Sequence, residues 1–369
     1  MTAILIAAAS GRALAASARR GGFAPLIADY FGDQDTLDAA HAHVRLEDGL
    51  ARGMEADALL AALGTLAADE TPAGLVWGTG FEDRPHLLAE IARRWRLIGN
   101  TPETVTAVKE PLRLATLCRD CDIPHPETSL TPPPDPDGWL AKRRGGAGGS
   151  HIVLAADRRD AKGGIYFQQR VAGMPVSALF LADGQRARVL GFSTQWASPT
   201  IRQPFRYGGA VRPAGLSSGG ASALADAVQR IVAAVPLVGL NSADFLVDGH
   251  EFVLLEINPR PGATLDIFEP DHGSLFAMHV AACGGHLPDQ MPVYLGAAAS
   301  AIVYADHDIC TSMRNWPAWT ADRPQAEISI RAGEPYCTVL AHAPTAAEAK
   351  RLVERRRHAI LASANARAA

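Results

Sequence analysis

The chain has 369 residues, enough for two or three domains of ordinary size. A formal net charge of −4, 20 % charged residues and no basic stripe interleaved with aromatics argue against nucleic acid as a main partner. No apolar run approaches the roughly 20 residues that span a bilayer, so no membrane partner and a cytoplasmic location are expected.

Five scattered cysteines, an odd number, suit reduced thiols. Cys118 and Cys121 form a CxxC, but within a helical pattern and with no second pair, which reads as structural. Among 35 basic residues only four are lysines, Lys109, Lys142, Lys162 and Lys350. A chain that otherwise writes positive charge as arginine has kept lysine at these few places.

The opening residues lack a basic leader and read as a buried strand over 3–8, followed by Ser10-Gly11-Arg12, a helix through Arg20 and a second strand at 26–29. This βαβ opening has one glycine in its loop, so the dinucleotide fingerprint G-x-G-x-x-G is absent and a dehydrogenase reading is weak. Strands are expected at 43–46 and 74–77, and helices around 54–67 and 86–95. Glu82 follows Gly78-Thr79-Gly80 at a sheet's carboxyl edge, where open sheets collect ligands. It could receive a substrate amine or cap the helix after Pro85. Asn100-Thr101-Pro102 breaks the pattern and ends a first, open parallel-sheet domain, residues 1–100.

Lys109-Glu110-Pro111 is expected to open a helix through Cys118, after which residues 123–128 turn into a strand. The proline-rich stretch 131–138 is a stiff connector. A strand beginning at Trp139 and carrying Lys142 then runs into Gly145, Gly146, Gly148 and Gly149. Such glycines let backbone N–H groups approach a polyphosphate without obstruction, although the Gly-Lys-Ser/Thr of a Walker A is missing. Strands follow at 176–181 and 187–194. Residues 198–212 read as a polar loop with Arg202, Arg206 and Tyr207, either an anion clamp or plain surface. An amphipathic helix spans 221–235.

Two apolar runs, 243–247 and 251–257, flank Asp248-Gly249, a strong hairpin signal. Glu256, Asn258 and Arg260 should share a face. A two-residue loop would pair Asp244 with Val253 and place Glu256 on the opposite face. A three-residue loop would pair Asp244 with Leu254 and make Asp244 and Glu256 diagonal neighbours on one face. The second geometry suits two carboxylates holding a divalent cation, with Asn258 as a further oxygen ligand. Glu256 follows Phe252-Val-Leu-Leu255, a run that reads as buried, where a carboxylate is expensive unless paired or metal-bound. Beyond it lie a polar loop at 261–269, a helix at 273–283, strands at 301–304 and 336–341, and a helix from 346 to about 362. No internal repeat or long low-complexity tract appears.

Asp244…Glu256-Ile-Asn258-Pro-Arg260 resembles the metal-binding signature of the ATP-grasp superfamily: an acidic residue, a hairpin, then Glu-x-Asn-x-Arg. Lys109, the following helix and Ile123-Pro124-His-Pro126 resemble another passage of that family, with Asp122 where glycine is usual. Residues 139–151 resemble its mobile lid, and 164–177 its adenine-binding edge, with Gln168 in place of the commoner Glu. The motifs stand in family order over roughly 105–262.

The resemblance implies an α/β fold, α+β in its ATP-grasp part. An N-terminal open parallel-sheet (Rossmann-like) domain covers 1–100. A two-part ATP-grasp domain follows, with a lid and central part at 101–184 and a metal-bearing part at 185–290. A small closing α+β subdomain covers 291–369. It implies ATP and Mg²⁺ (or Mn²⁺) as cofactors. Asp244, Glu256 and Asn258 would hold the metal, and Lys109, Lys142, Gly146, Gly148 and Gly149 the phosphates. Gln168, Gln169 and Val171 would meet the adenine, and Arg260 the substrate carboxylate or its acylphosphate, with Lys142 and Asn258 assisting catalysis.

The implied activity is an ADP-forming ligase joining a small-molecule carboxylate to an amine through an acylphosphate. The rivals are a bicarbonate-using carboxylase of the same superfamily and a non-catalytic nucleotide-binding regulator. A glutamate-type amine or acid would suit Arg202, Arg206 and Arg260. The overall look, including the short tail subdomain, resembles ATP-grasp ligases linked to one-carbon cofactors such as methanofuran or methanopterin, and the tail itself resembles the small closing subdomain of several ATP-grasp ligases and carboxylases. It shows no catalytic constellation, so packing or assembly, as in a homodimer, is its default role.

Overall fold

β1 (Thr2–Ala7) shows why the first domain is a layered parallel sheet. Its Ile4 and Ile6 face the helix Arg12–Arg20, packing with Leu14, Ala15 and Ala18. Leu5 and Ala7 face the other way, toward Leu59, Leu63 and Leu88 of the helices Ala56–Leu66 and Pro85–Ala92. A strand buried on both faces needs this unbroken apolar run. In the computed structural model, which describes residues 1–47, 49, 53–158, 160–311 and 315–368, β1 pairs in parallel with β2 (Phe23–Asp29), which pairs with β3 (Ala42–Arg45). On its other side β1 pairs with β4 (Leu75–Trp77), giving the order β3-β2-β1-β4. The carboxyl ends of these strands deliver Ser10, Asp29, Asp33 and Glu82 to one edge of the sheet.

The helices Pro102–Lys109 and Pro111–Asp120 follow, with Glu110 between them accepting N–H bonds from Leu112 and Arg113. Lys109 was expected at a helix start and instead ends a helix. Pro111 is the cause: its ring blocks continuation, so one helix stops at Lys109 and a new one begins. The cation thus sits at the favourable end of a helix dipole. Asp122 adopts φ 52°, the left-handed conformation that glycine takes most easily.

A small antiparallel sheet comes next: β5 (Thr128–Ser129), β6 (Trp139–Arg143), β7 (Val153–Leu154) and β8 (Ile165–Gln169), in the order β5-β8-β6-β7. Its core is little more than Ala141, Ala155, Ile165 and Phe167.

β9 (Met174–Asp183), β10 (Ala187–Ala197) and β11 (Tyr207–Arg212) open the large sheet. The polar stretch expected at 198–212 is therefore a loop only up to Arg206, because Tyr207–Arg212 pairs with β10 on one side. After the helix Ser218–Ala234 come β12 (Val238–Asp248) and β13 (Glu251–Asn258). The tail adds β14 (Ala297–Tyr304), β15 (Ile309–Cys310), β16 (Thr320–Ala321), β17 (Ser329–Ile330) and β18 (Pro335–Ala343). Among the described residues the large sheet runs β13-β12-β9-β10-β11-β14-β18-β16, while β15 and β17 pair separately.

The tail strands are thus continuous with the sheet that carries the hairpin. β14 starts four residues earlier than its pattern suggests, at Ala297-Ala-Ala-Ser300. Alanine and serine are poor strand formers, but pairing with β11 on one side and β18 on the other overrides propensity. The helix Ala346–Ala368 covers this end, with Ala349, Val353 and Ile360 buried against the sheet. No helix among the described residues is long and apolar enough to cross a membrane.

Candidate active site

The β12–β13 hairpin follows neither expected register. Its loop is Gly249-His250, so Asp248 pairs with Glu251 and Phe245 with Leu254. A β-bulge then makes Leu255 an extra residue, and Asp244 falls directly opposite Glu256. The bulge shifts the side-chain alternation by one residue, which brings the two carboxylates onto one face.

Asn258 Nδ2 donates to Asp244 Oδ2 at 2.9 Å, and Gln195 Nε2 to Asp244 Oδ1 at 3.4 Å. Lys109 Nζ donates to Asn258 Oδ1 at 2.7 Å and to Glu256 Oε2 at 3.4 Å. Asp244, Glu256, Asn258 and Lys109 therefore form one connected cluster. Burial and the facing Glu256 push the Asp244 carboxyl up to about 6. Burial works in the same direction on Glu256, but Lys109, Lys142, His151 and Arg260 overcome it and hold that carboxyl down. Among the described residues no group of three or more His, Cys, Asp or Glu is placed to hold a metal. Two carboxylates and an amide oxygen are nonetheless a hard-oxygen set suited to Mg²⁺ or Mn²⁺. The Lys109 ammonium already occupies two of these oxygens as a cation would.

Arg260, expected to meet a substrate carboxylate, is buried, and its Nε donates to Glu82 Oε1 at 2.7 Å. Glu82 accepts from the backbone N–H groups of Gly80 and Phe81 through its other oxygen. Burial disfavours its charge, but Arg260 and Lys109 prevail and hold the carboxyl below its ordinary range. Glu82 is thus neither a free receiver for an amine nor a cap on the helix starting at Pro85. It is the counter-ion that ties the first domain to Arg260. Asn100 makes a second tie that its sequence context did not reveal. Its Nδ2 donates to Asn241 Oδ1 at 2.7 Å and to the Pro259 carbonyl at 2.8 Å.

Lys142 is buried on β6, and its Nζ donates to Gln168 Oε1 at 2.9 Å. Burial lowers its pKa against the pull of Glu256 and Asp244. The Gln168 carbonyl, read as an adenine contact, therefore holds a lysine. The Gln169 N–H donates to the Glu127 carbonyl at 2.8 Å, and Val171 lies just beyond β8. Gln168 lines a pocket with Lys109, His125, Gly145, Gly146, His151, Tyr166 and Glu256, whereas Gln169 and Val171 are not among its lining residues.

That pocket holds only about 20 Å³, because the glycine-rich lid is packed shut. The Tyr207 N–H donates to the Gly148 carbonyl at 2.8 Å, and Arg144 lies 3.4 Å from Glu110. A Cβ on Gly145 would lie 2.4 Å from the Asp83 nitrogen, and one on Gly149 2.0 Å from the Phe205 oxygen. A guest the size of a nucleotide would fit only if this glycine-rich segment moved away, which the small core beneath it permits. The pocket's polar atoms suit such a guest. His151 Nδ1 is buried with no hydrogen-bond partner, and burial, opposed by Glu256, lowers the imidazole pKa to about 4. Arg206, by contrast, donates to the Ser198 and Gly333 carbonyls and stacks on Tyr304, and Arg202 is exposed, so neither is placed as an anion clamp.

A family model described as an ATP-grasp domain matches residues 112–264. The carbamoyl phosphate synthase large chain of Rubrobacter xylanophilus is 22% identical over 223 residues, which is 53% of this chain and 21% of that protein. The chain therefore spans about a fifth of the length of this curated relative. The biotin carboxylase–β,γ-ATP complex from Campylobacter jejuni superposes with a TM-score of 0.74 at 16% identity, covering 94% of this chain and 89% of that one. N5-carboxyaminoimidazole ribonucleotide synthetase from Thermotoga maritima gives 0.67 at 12% identity over 97% and 98%. At these identities the likeness is one of fold.

Proposed function

We propose that this chain, whose residues 112–264 match a family model described as an ATP-grasp domain, is an ADP-forming ligase that joins a carboxylate to an amine through an acylphosphate. The observation that carries the reading is the facing pair Asp244 and Glu256, with Lys109, Lys142 and Arg260 all acting on Glu256. Two anionic carboxylates ringed by three strong cations are balanced to receive both a divalent cation and a polyphosphate.

In this reading residues 1–100 help bind the substrate, 101–184 supply the lid, 185–290 the metal-binding hairpin, and 291–369 close the sheet. Asp244, Glu256 and Asn258 would hold Mg²⁺ or Mn²⁺, which supplies charge neutralisation on the transferred phosphoryl group when bound. Lys109 then gives up Asn258 and Glu256 and turns to phosphate oxygens. Lys142, held in place by Gln168, faces the phosphates from β6. Gly146, Gly148 and Gly149 bring lid backbone over them, with His151 beneath, while the strand edge at Gln168, Gln169 and Val171 receives the adenine. Arg260, oriented by Glu82 through Nε and by the Pro261 carbonyl through Nη1, keeps Nη2 for the substrate carboxylate. A carboxylate oxygen attacks the γ-phosphorus as its bond to the ADP oxygen breaks. The amine nitrogen then attacks the acyl carbon, losing a proton as phosphate leaves.

A second reading, a carboxylase that uses bicarbonate as the acid, is favoured by the two solved structures named above, whose names describe carboxylation. ADP release by the purified protein with Mg²⁺-ATP, screened against pools of carboxylates with and without amines, separates the two. ADP that requires both an acid and an amine supports the ligase. ADP with bicarbonate alone supports the carboxylase. ATP bound but never hydrolysed in any pool overturns both and leaves the regulatory protein.

A further inference from the structure

A cavity of about 510 Å³ lies at the carboxyl edge of the first sheet, where the tail closes over it. Phe31, Ile302, Ile330 and Tyr336 are among its apolar walls, and Asp33 and Asp322 bring carboxylates to it. Asp322 is already spoken for: Arg12 donates to it at 3.0 Å while gripping Asp266 with both terminal nitrogens. Asp33 is different. Its residue is only 5% exposed, it begins the helix Gln34–Ala39 without capping it by its side chain, and among the described residues none donates to its carboxylate.

A buried carboxyl without a donor is costly, and the structure shows what would relieve it. Burial, with Asp322, Asp29 and Asp35 close by, pushes the Asp33 carboxyl up to about 8 against the opposing pull of Arg12. The basic side chains of the region do not answer it. Arg12 is engaged as described, Arg45 Nε donates to the Tyr30 carbonyl, and Arg331, the other arginine on the cavity wall, is exposed. An anionic guest would meet Asp33, which has no counter-ion of its own. A guest bearing a protonated amine or guanidinium would supply both the donor and the charge.

A second cavity, of about 250 Å³, shares Ser10, Phe31, Ile302, Asp322 and Thr338 with the first and reaches Pro261 and Gly262, immediately after Arg260. We infer that the double cavity binds an amine- or guanidinium-bearing small molecule, its cationic group on Asp33 and its far end directed toward Arg260. This deepens the ligase reading, on which it rests for the molecule's role as the amine partner; the binding itself stands apart from it.

Calorimetric titration of the full-length protein with tyramine, agmatine and spermidine, each beside an uncharged analogue (tyrosol for tyramine), tests the inference directly. At least one amine should bind saturably and ten times or more tighter than its uncharged analogue. Asp33→Asn should lose at least tenfold of that affinity while binding Mg²⁺-ADP as the wild type does, which also reports that the variant is folded. Ile302→Trp, which fills the neck shared by the cavities, should abolish amine binding. Amines that bind no better than their uncharged analogues, or that bind Asp33→Asn with undiminished affinity, would overturn the inference. Amine binding without ADP release under any condition would uphold it and count against the ligase. Acid- and nucleophile-dependent ADP release that is untouched by Asp33→Asn would do the reverse.

Discussion

Asp244 and Glu256 stand directly opposite each other across the hairpin only because Leu255 is an extra residue on β13. Glu256→Ala leaves the bulge in place and takes away one of the two facing carboxylates. ADP formation should then fall at least a hundredfold, while Mg²⁺-free melting changes by only a few degrees. A Glu256→Ala variant that retains the wild-type rate would show that the facing pair is not used.

The same pair repels itself until something positive comes between. Asp244→Asn removes one charge and leaves an oxygen in place. Without divalent cations the variant should melt at or above the wild-type temperature, and the rise in melting temperature that Mg²⁺ gives the wild type should shrink or vanish. Equal Mg²⁺ shifts in both proteins, read by differential scanning calorimetry, would place the metal elsewhere.

The motif order and the hairpin's position were legible because both depend on local alternation and on short spacings. The bulge was not, since Leu255 looks like any other strand residue and only pairing reveals that it is surplus. Lys109 was placed at the wrong end of a helix because the break at Pro111 falls between two helical patterns. The Glu82–Arg260 pair joins residues 178 positions apart, and the Arg12–Asp322 pair joins residues 310 apart. No window of sequence contains either. Asp33 stands in no motif of the sequence, and only its burial without a donor sets it apart.

Glu82 and Arg260 form a buried ion pair between the first domain and the hairpin, with side chains 1% and 8% exposed. Removing one partner leaves an uncompensated buried charge, which costs about 3–5 kcal/mol. Glu82→Ala should show that loss in urea unfolding, and Glu82→Ala with Arg260→Met should recover much of it. Activity should stay low in the double variant if, as proposed, Arg260 also meets the substrate carboxylate.

The lid closes through glycines that leave no room for a side chain. Gly149 has φ +69°, and an added Cβ would fall 2.0 Å from the Phe205 oxygen. Gly149→Ala should hold the lid open. Limited proteolysis within residues 144–152 should then become faster and stay fast when ATP is added, whereas the wild type becomes protected. Identical cleavage of the two proteins would show that Gly149 does not govern closure.

His279 predicts how stability depends on pH. Its Nδ1 accepts the Leu240 N–H at 2.9 Å, so its proton sits on Nε2 and is donated to the Ile98 carbonyl at 2.9 Å. This ring, 1% exposed on the helix Leu275–Cys283, thus links that helix to β12 and to the end of the first domain. Burial lowers its pKa to about 4, partly offset by the bond to Ile98. In the unfolded chain the same group takes up a proton near its ordinary value of about 6.5. Between these values the unfolded state binds more protons, so the contribution from His279 is fully present above about 6.5 and is lost as pH falls toward 4. His279→Gln, whose amide can accept from Leu240 but cannot titrate, should be less stable than the wild type at pH 8 and lose less stability between pH 6.5 and 4.5. Urea titrations of both proteins at several pH values give the comparison, and parallel curves would assign the acid sensitivity to other groups.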